Sequence, residues 1–325
     1  MNVELIIQDS NSGKIYDITE LVKNINWETT LQGQPGKLTF VYIKTEKVFF
    51  SEGSPLTFKV NGTGVFYGFV FKNSITEKGK ISVTAYDQLR YLKNSDTYVI
   101  KNMTASGIFE KLCKDYQLKY RVVHPSSYVI ASRVFDNKTL FDIIQTALNE
   151  TLAYTSNRFA IRDNFGILEF VDLSKLKTNL FVGDESLLYS YTCDSSIDSD
   201  TYNQVKLIRE NEDIGKRELY IVKDSSSIKK WGLLQYFEKM DKDANAAQIS
   251  DRAQKLLALK NRATKSLKLN CLGDLRVFAG CGIVVGIENL KNEGFGDPKY
   301  YVVTQCTHKF KNCQHTMELE VEASI

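Results

Sequence analysis

The stretch Lys299–Glu322 reads KYYVVTQCTHKFKNCQHTMELEVE, and its reading decides the fold. Tyr300, Val302, Thr304, Cys306 and His308 alternate against Cys313, His315, Met317, Leu319 and Val321, with a short polar segment between the two runs. A period of two belongs to strands with one buried face, so the stretch predicts an antiparallel hairpin. Placing the turn just after His308 pairs 308 with 313 and 306 with 315. The other face of the last strand is Glu318, Glu320 and Glu322, which must meet solvent or a partner.

Upstream of this hairpin the same pattern recurs in Leu187–Cys193, Asn203–Arg209, Glu218–Lys223, Lys265–Cys271 and Gly282–Ile287. One helix interrupts it at about 243–262, capped by Asp243 or Asn245, with Ile249, Ala253, Leu256 and Leu257 as its buried stripe. These elements define a second β domain over 179–325.

Residues 99–178 follow a different pattern. Thr104 precedes a helix carrying Ile108, Leu112, Cys113 and Tyr116, and a strand-like Lys119–Val123 follows it. Thr139 then opens a helix with Leu140, Ile143, Ile144, Ala147 and Leu148 on one face. A hairpin from Arg158 to Val171 turns at Asp163-Asn164-Phe165-Gly166. Two helix–strand units ending in a hairpin make a small α+β insert.

Residues 1–98 return to short alternating strands. Leu38, Phe40 and Tyr42 share a face, as do Leu56, Phe58 and Val60, and again Ile81, Val83 and Ala85. Turn residues separate the runs, and Asn61-Gly62 marks a two-residue hairpin loop. The expected class is therefore α+β, predominantly β: two related β-barrels, an α+β insert, and an extra helix in the second half.

Composition narrows the function. Lysine plus arginine is 42 and aspartate plus glutamate 39, leaving a net charge of +3, which gives no bulk reason for polyanion binding. Lys255, Lys260, Arg262, Lys265 and Lys268, with Lys309 and Lys311 near the last turn, read as solvated faces. The 6 cysteines (113, 193, 271, 281, 306 and 313) include no C-x-x-C pair and read as reduced and mostly buried. The start, Met1 to Asp9, lacks the cationic and long apolar segments of a signal peptide, so the expectation is synthesis in the bacterial cytoplasm without one. The longest apolar run, Val277 to Ile287, is broken by glycines and cannot span a bilayer.

No catalytic constellation stands out. Nucleophile-elbow, phosphate-loop and paired-histidine zinc motifs are absent. Asp87, Asp163, Glu169, Asp200 and Asp274 are candidate acids without a defining spacing, and His124, before Pro125, reads as a surface histidine. The nearest approach to a metal site is Cys306, His308, Cys313 and His315, a ligand set that suits zinc. Their spacing matches no familiar zinc module, and the same face continues as core residues, so the expectation is no metal, no cofactor and no catalytic residue.

Several segments together resemble a known family. They are Gly53–Val60 (GSPLTFKV), Val65–Val70 (VFYGFV), Ser82–Leu92 (SVTAYDQLRYL), Asp200–Val205 (DTYNQV), Lys230–Gln235 (KWGLLQ), Leu272-Gly273-Asp274 through Ile287, and the ending His308-x-Phe310 with His315-Thr316-Met317-x-Leu319. In order and spacing they are similar to the XkdQ/YqbQ-like baseplate hub proteins of contractile prophage tails and R-type, tail-like bacteriocins. The resemblance covers essentially the whole chain. It implies two tube-like β-barrels per subunit and a homotrimeric ring that matches a six-fold tail tube to a three-fold central spike. Tube, spike and other baseplate proteins are the implied partners, DNA passes through the lumen without specific binding, and the membrane is not entered. No enzymatic activity is implied. The alternatives are a tail-associated cell-wall hydrolase, using Asp163 or Glu169, and a glycan-binding module built on Trp27 and Trp231.

Overall fold

The computed structural model describes residues 1–198, 200–211, 216–240 and 245–323. They divide into two compact units, Met1–Thr192 with Lys268–Ile325, and Cys193–Leu267. The second unit is one that the sequence pattern does not set apart from the last β domain.

The larger unit begins with β1 (Val3–Gln8), β2 (Ile15–Asp17), β3 (Val22–Thr30), β4 (Lys37–Ile43), β5 (Pro55–Val60), β6 (Thr63–Ile75) and β7 (Lys80–Tyr86). The alternation acts as expected: Leu38, Phe40, Leu56, Phe58, Val60, Val83 and Ala85 are all buried in one core. The β5–β6 loop is Asn61-Gly62, with Val60 paired to Thr63 and both loop residues at positive φ (49° and 78°). This left-handed pair suits the strand twist, and asparagine and glycine adopt it at least cost.

The insert follows as β8 (Ser95–Thr104), α1 (Ala105–Asp115), β9 (Tyr120–Val122), β10 (Val129–Thr139), α2 (Leu140–Thr155), β11 (Phe159–Asp163) and β12 (Leu168–Asp172). Thr104 caps α1 by accepting the Gly107 amide at 3.1 Å, and Thr139 caps α2 reciprocally with Asp142. Every apolar residue anticipated on the α2 face is buried. The antiparallel pair β8–β10 has no counterpart in the sequence reading.

The chain returns to sheet through β13 (Lys177–Gly183) and β14 (Leu188–Ser196). The second unit then holds β15 (Gln204–Asn211), β16 (Lys216–Lys223), α3 (Ser225–Trp231), β17 (Gln235–Lys239) and α4 (Ala246–Lys260). Its sheet runs β16-β15-β17, and Ile249 and Ala253 of α4 pack on Val205 and Leu207. Asn245 caps α4 in a capping box with Gln248; Asp243 lies outside the described residues. The last strands are β18 (Thr264–Leu272), β19 (Gly282–Gly286), β20 (Lys299–Lys311) and β21 (Gln314–Ala323).

The protein is predominantly β, in the α+β class, but its sheets are not closed. The hydrogen-bonded path runs β14-β18-β21-β20-β3-β4-β7-β6-β5-β1-β2 and is open at both ends among the described residues. Strand β20 is the reason. On one edge it carries β21, and on the other its first half pairs with β19 and its second half with β3. The N-terminal strands therefore continue into the C-terminal ones at β3 instead of closing on themselves. Among the described residues no helix is long and apolar enough to cross a membrane.

Candidate functional site

The last hairpin is present, in a register other than the expected one. His308 pairs with Met317, Phe310 with His315 and Cys306 with Leu319. The turn is the two-residue loop Asn312-Cys313, both at positive φ (50° and 60°). Such a loop usually carries glycine second, as at 61–62; a cysteine there leaves no turn signal to read. A bulge between Val303 and Gln305 also shifts the alternation, so Tyr301 and Val303 are buried alongside Cys306, His308 and Phe310, and Tyr300 is exposed.

The four residues weighed as a weak metal candidate are consequently split. Cys313 sits exposed in the turn. His308 is fully buried, its ring stacked on Trp27 with centroids 5.0 Å apart. Its Nε2 lies 2.8 Å from the Val277 carbonyl and 3.1 Å from Cys306 Sγ, and its Nδ1 lies 2.8 Å from His315 Nε2. A carbonyl only accepts, so His308 carries its proton on Nε2, and His315 donates from Nε2 to His308 Nδ1. With both His308 nitrogens occupied by hydrogen bonds, the cluster reads as a core network. Among the described residues no group of three or more histidine, cysteine or acidic side chains is placed to hold a metal. Burial pushes the Cys306 thiol up, and Cys271 and Cys281 reach about 12 and about 11 for the same reason.

The glutamates of β21 have internal partners. Glu318 pairs with Lys309, Glu320 with Lys268 at 2.9 Å, and Glu322 with Arg158. Lys255 pairs with Asp251 and Lys260 with Asp200. The basic residues are thus largely tied into local ion pairs.

Of the candidate acids, Asp274 is held by Arg276 and Asp200 by Lys260. Glu169 is buried on β12; burial alone would raise it, but Arg121, Asn164 and Arg162 together keep it below the ordinary glutamate value. His124 accepts the Asp172 amide on Nδ1 at 3.2 Å and ties the segment after β9 to the end of β12. Asp87 and Asp163 differ from the others: they line one cleft of about 170 Å³ with Trp27, Arg162, Phe165 and Phe278, and neither has an ion-pair partner among the described residues. Sequence reasoning singled out both but could not bring them together. Trp27 is half-buried against His308, and Trp231 ends α3 with Lys230 over its ring.

The fold is shared with solved tail proteins along nearly the whole chain. The 43 kDa tail protein of prophage MuSo2 from Shewanella oneidensis aligns with a TM-score of 0.70 at 13% identity, over 98% of each chain. A tail protein from Neisseria meningitidis MC58 aligns at 0.71 and 12%, over 99% of this chain and 96% of that one. The E. coli c3393 protein, a type VI secretion component described as similar to T4 tail proteins gp27 and gp5, aligns at 0.55 and 12%, over 94% of this chain and 74% of that one. The architecture is that of phage tail proteins.

The chain belongs to the YqbQ-like family, whose profile matches residues 25–322. It is 32% identical to YqbQ of Bacillus subtilis over 93% of its length and 94% of that protein's. It is also 32% identical to XkdQ of the phage-like element PBSX of the same organism, over 90% and 86%.

Proposed function

We propose that this protein is the structural baseplate hub of a contractile phage tail or tail-like bacteriocin, a ring that joins a six-fold tube to a three-fold spike. The observation that carries the reading is the single long strand β20, which fuses an N-terminal and a C-terminal set of strands into one continuous sheet. Two such sets per subunit, taken as tube-like regions over 1–98 and 179–325 around an insert at 99–178, present six in a trimer. That number meets a six-fold tube on one side while the three-fold axis remains for a spike. Family membership and the tail-protein fold support it.

The role is geometric and needs no reaction. Most of the candidate acids are neutralised by arginine or lysine, which supports a non-enzymatic protein over a hydrolase. Its partners are further copies of itself, the tube, the spike and other baseplate proteins; DNA passes through the lumen without specific contacts. Subunit interfaces above roughly 1,000 Å² each are required for a stable ring.

Electron microscopy and light scattering of the purified protein, alone and mixed with a tail tube protein and a spike protein, test the reading. A three-fold annulus is expected. Monomers under every mixing condition would overturn it.

A further inference from the structure

Gln88, just after Asp87, fastens the insert's β11–β12 hairpin to the N-terminal sheet. Asp87 follows β7; its Oδ2 accepts the Gly36 amide at 2.9 Å and its Oδ1 the Leu89 amide at 3.0 Å. Asp163, where the β11–β12 turn begins, accepts the Gly166 amide on Oδ1 at 2.7 Å and the Gln88 amide on Oδ2 at 3.3 Å. Gln88 in turn donates from Nε2 to the Gly166 carbonyl. At the tip, the Phe165 ring lies so close over Gly64 that a Cβ there would stand 2.7 Å from it. Backbone, side chain and ring contacts thus converge on one small junction.

Two carboxylates at this junction face the same cleft, and neither is ion-paired to a cation among the described residues. The charged side chain beside them, Arg162, turns to Glu169 and lies 4.6 Å over the Phe278 ring. Glu169 is engaged by Arg121 as well. From β3 and the segment 275–279 the cleft is lined by Trp27, Thr29, Leu275 and Phe278, none of them charged.

We propose that Asp87 and Asp163 form a one-proton clasp: the pair holds a single proton while the hairpin tip is seated, and the tip loosens from the N-terminal sheet when both carboxyls ionise. Like charges in a partly desolvated site resist joint ionisation, and the proton belongs to the pair. Burial pushes Asp163 up to about 6; burial first, and then the Asp163 charge, pushes Asp87 well above the usual carboxylate range. Folded-state values raised in this way mean that the folded protein binds more protons than the unfolded chain. The stabilisation is complete below the ordinary aspartate value of about 3.9 and is lost as pH rises through about 6. The clasp does not depend on the assembly role.

The test is amide hydrogen exchange of the full chain from pH 5 to pH 8, corrected for intrinsic exchange. Gly36, Gln88, Leu89 and Gly166 report the junction. Leu118, bonded to the Cys113 carbonyl at 2.9 Å in the insert, is the reference. Protection at Gln88 and Gly166 is expected to fall on the order of tenfold relative to Leu118 as pH rises, and to lose that dependence in Asp163→Asn or Asp87→Asn. A flat wild-type profile overturns the proposal, as does a dependence that survives in both variants. Should the variants not fold, carboxyl titration of the wild type decides: one aspartate of the pair titrating above pH 5 sustains the clasp, and both titrating near 4 ends it.

Discussion

His308 Nδ1 accepts a hydrogen bond from His315 Nε2 at 2.8 Å, joining the two strands of the final hairpin beneath Trp27. The contact exists in this form only while His308 is neutral, since a protonated Nδ1 cannot accept. Burial brings His308 down to about 4 and lowers His315 too. Between about 4 and the ordinary histidine value the unfolded chain binds more protons than folded His308, so this contribution is full above about 6.5 and is lost as pH falls.

His308→Gln retains an N–H for the Val277 carbonyl and an oxygen for His315. Relative to that variant, the wild type should lose about 3 kcal/mol of stability between pH 6.5 and pH 4, read by urea denaturation at each pH. The difference between the two proteins is the quantity to follow, because the aspartate pair contributes with the opposite sign over part of the same range. Parallel profiles would remove His308 as the cause.

Cys313 occupies the second loop position of the β20–β21 turn at φ 60°, where a side chain is strained. Cys313→Gly should stabilise the protein by about 1 kcal/mol, measured as a rise in urea midpoint. The same change should abolish the fastest reaction with a thiol reagent in the native state, since Cys313 is exposed whereas Cys193 is half-buried and Cys113, Cys271, Cys281 and Cys306 are buried. Fast labelling that persists in the variant would locate the reactive thiol elsewhere.

Gly64 leaves room for the Phe165 ring. Gly64→Ala should cost about 1–3 kcal/mol by forcing the ring or the strand to move. Phe165→Ala in the same chain should recover most of that loss, giving a coupling energy in a double-mutant cycle. Additive effects would show that the two residues do not press on each other in solution.

The sequence expectation at Cys306, His308, Cys313 and His315 is no metal, and in the structure Cys313 lies apart in the turn while both His308 nitrogens are in use. Chelation with EDTA should leave the melting temperature unchanged, and equimolar zinc should not raise it. A zinc-dependent rise lost in His308→Gln would restore the metal reading.

Periodicity carried the reading furthest where the physics is local. Thr104 and Thr139 cap the expected helices because a hydroxyl satisfies an amide three residues on, and Asn61-Gly62 turns the expected hairpin because both residues adopt positive φ. Reading failed where a local signal was missing. Asn312-Cys313 makes the same kind of loop without its glycine, so the final register was misplaced and Cys306 was set opposite His315 instead of Leu319. The bulge after Val303 has no sequence mark and reversed the expected face of Tyr300 and Thr304.

The amino-acid sequence by itself determined the class of this protein, its run of strands and capped helices, and its resemblance to the YqbQ-like family, because alternation, capping and turn chemistry act over a few residues. Only the tertiary structure decided how β20 divides its edge between β19 and β3, and that Asp163 would bond Gln88 across 75 positions of chain and share a cleft with Asp87. Those pairings depend on which distant surfaces exclude water from each other, and no local pattern encodes that choice.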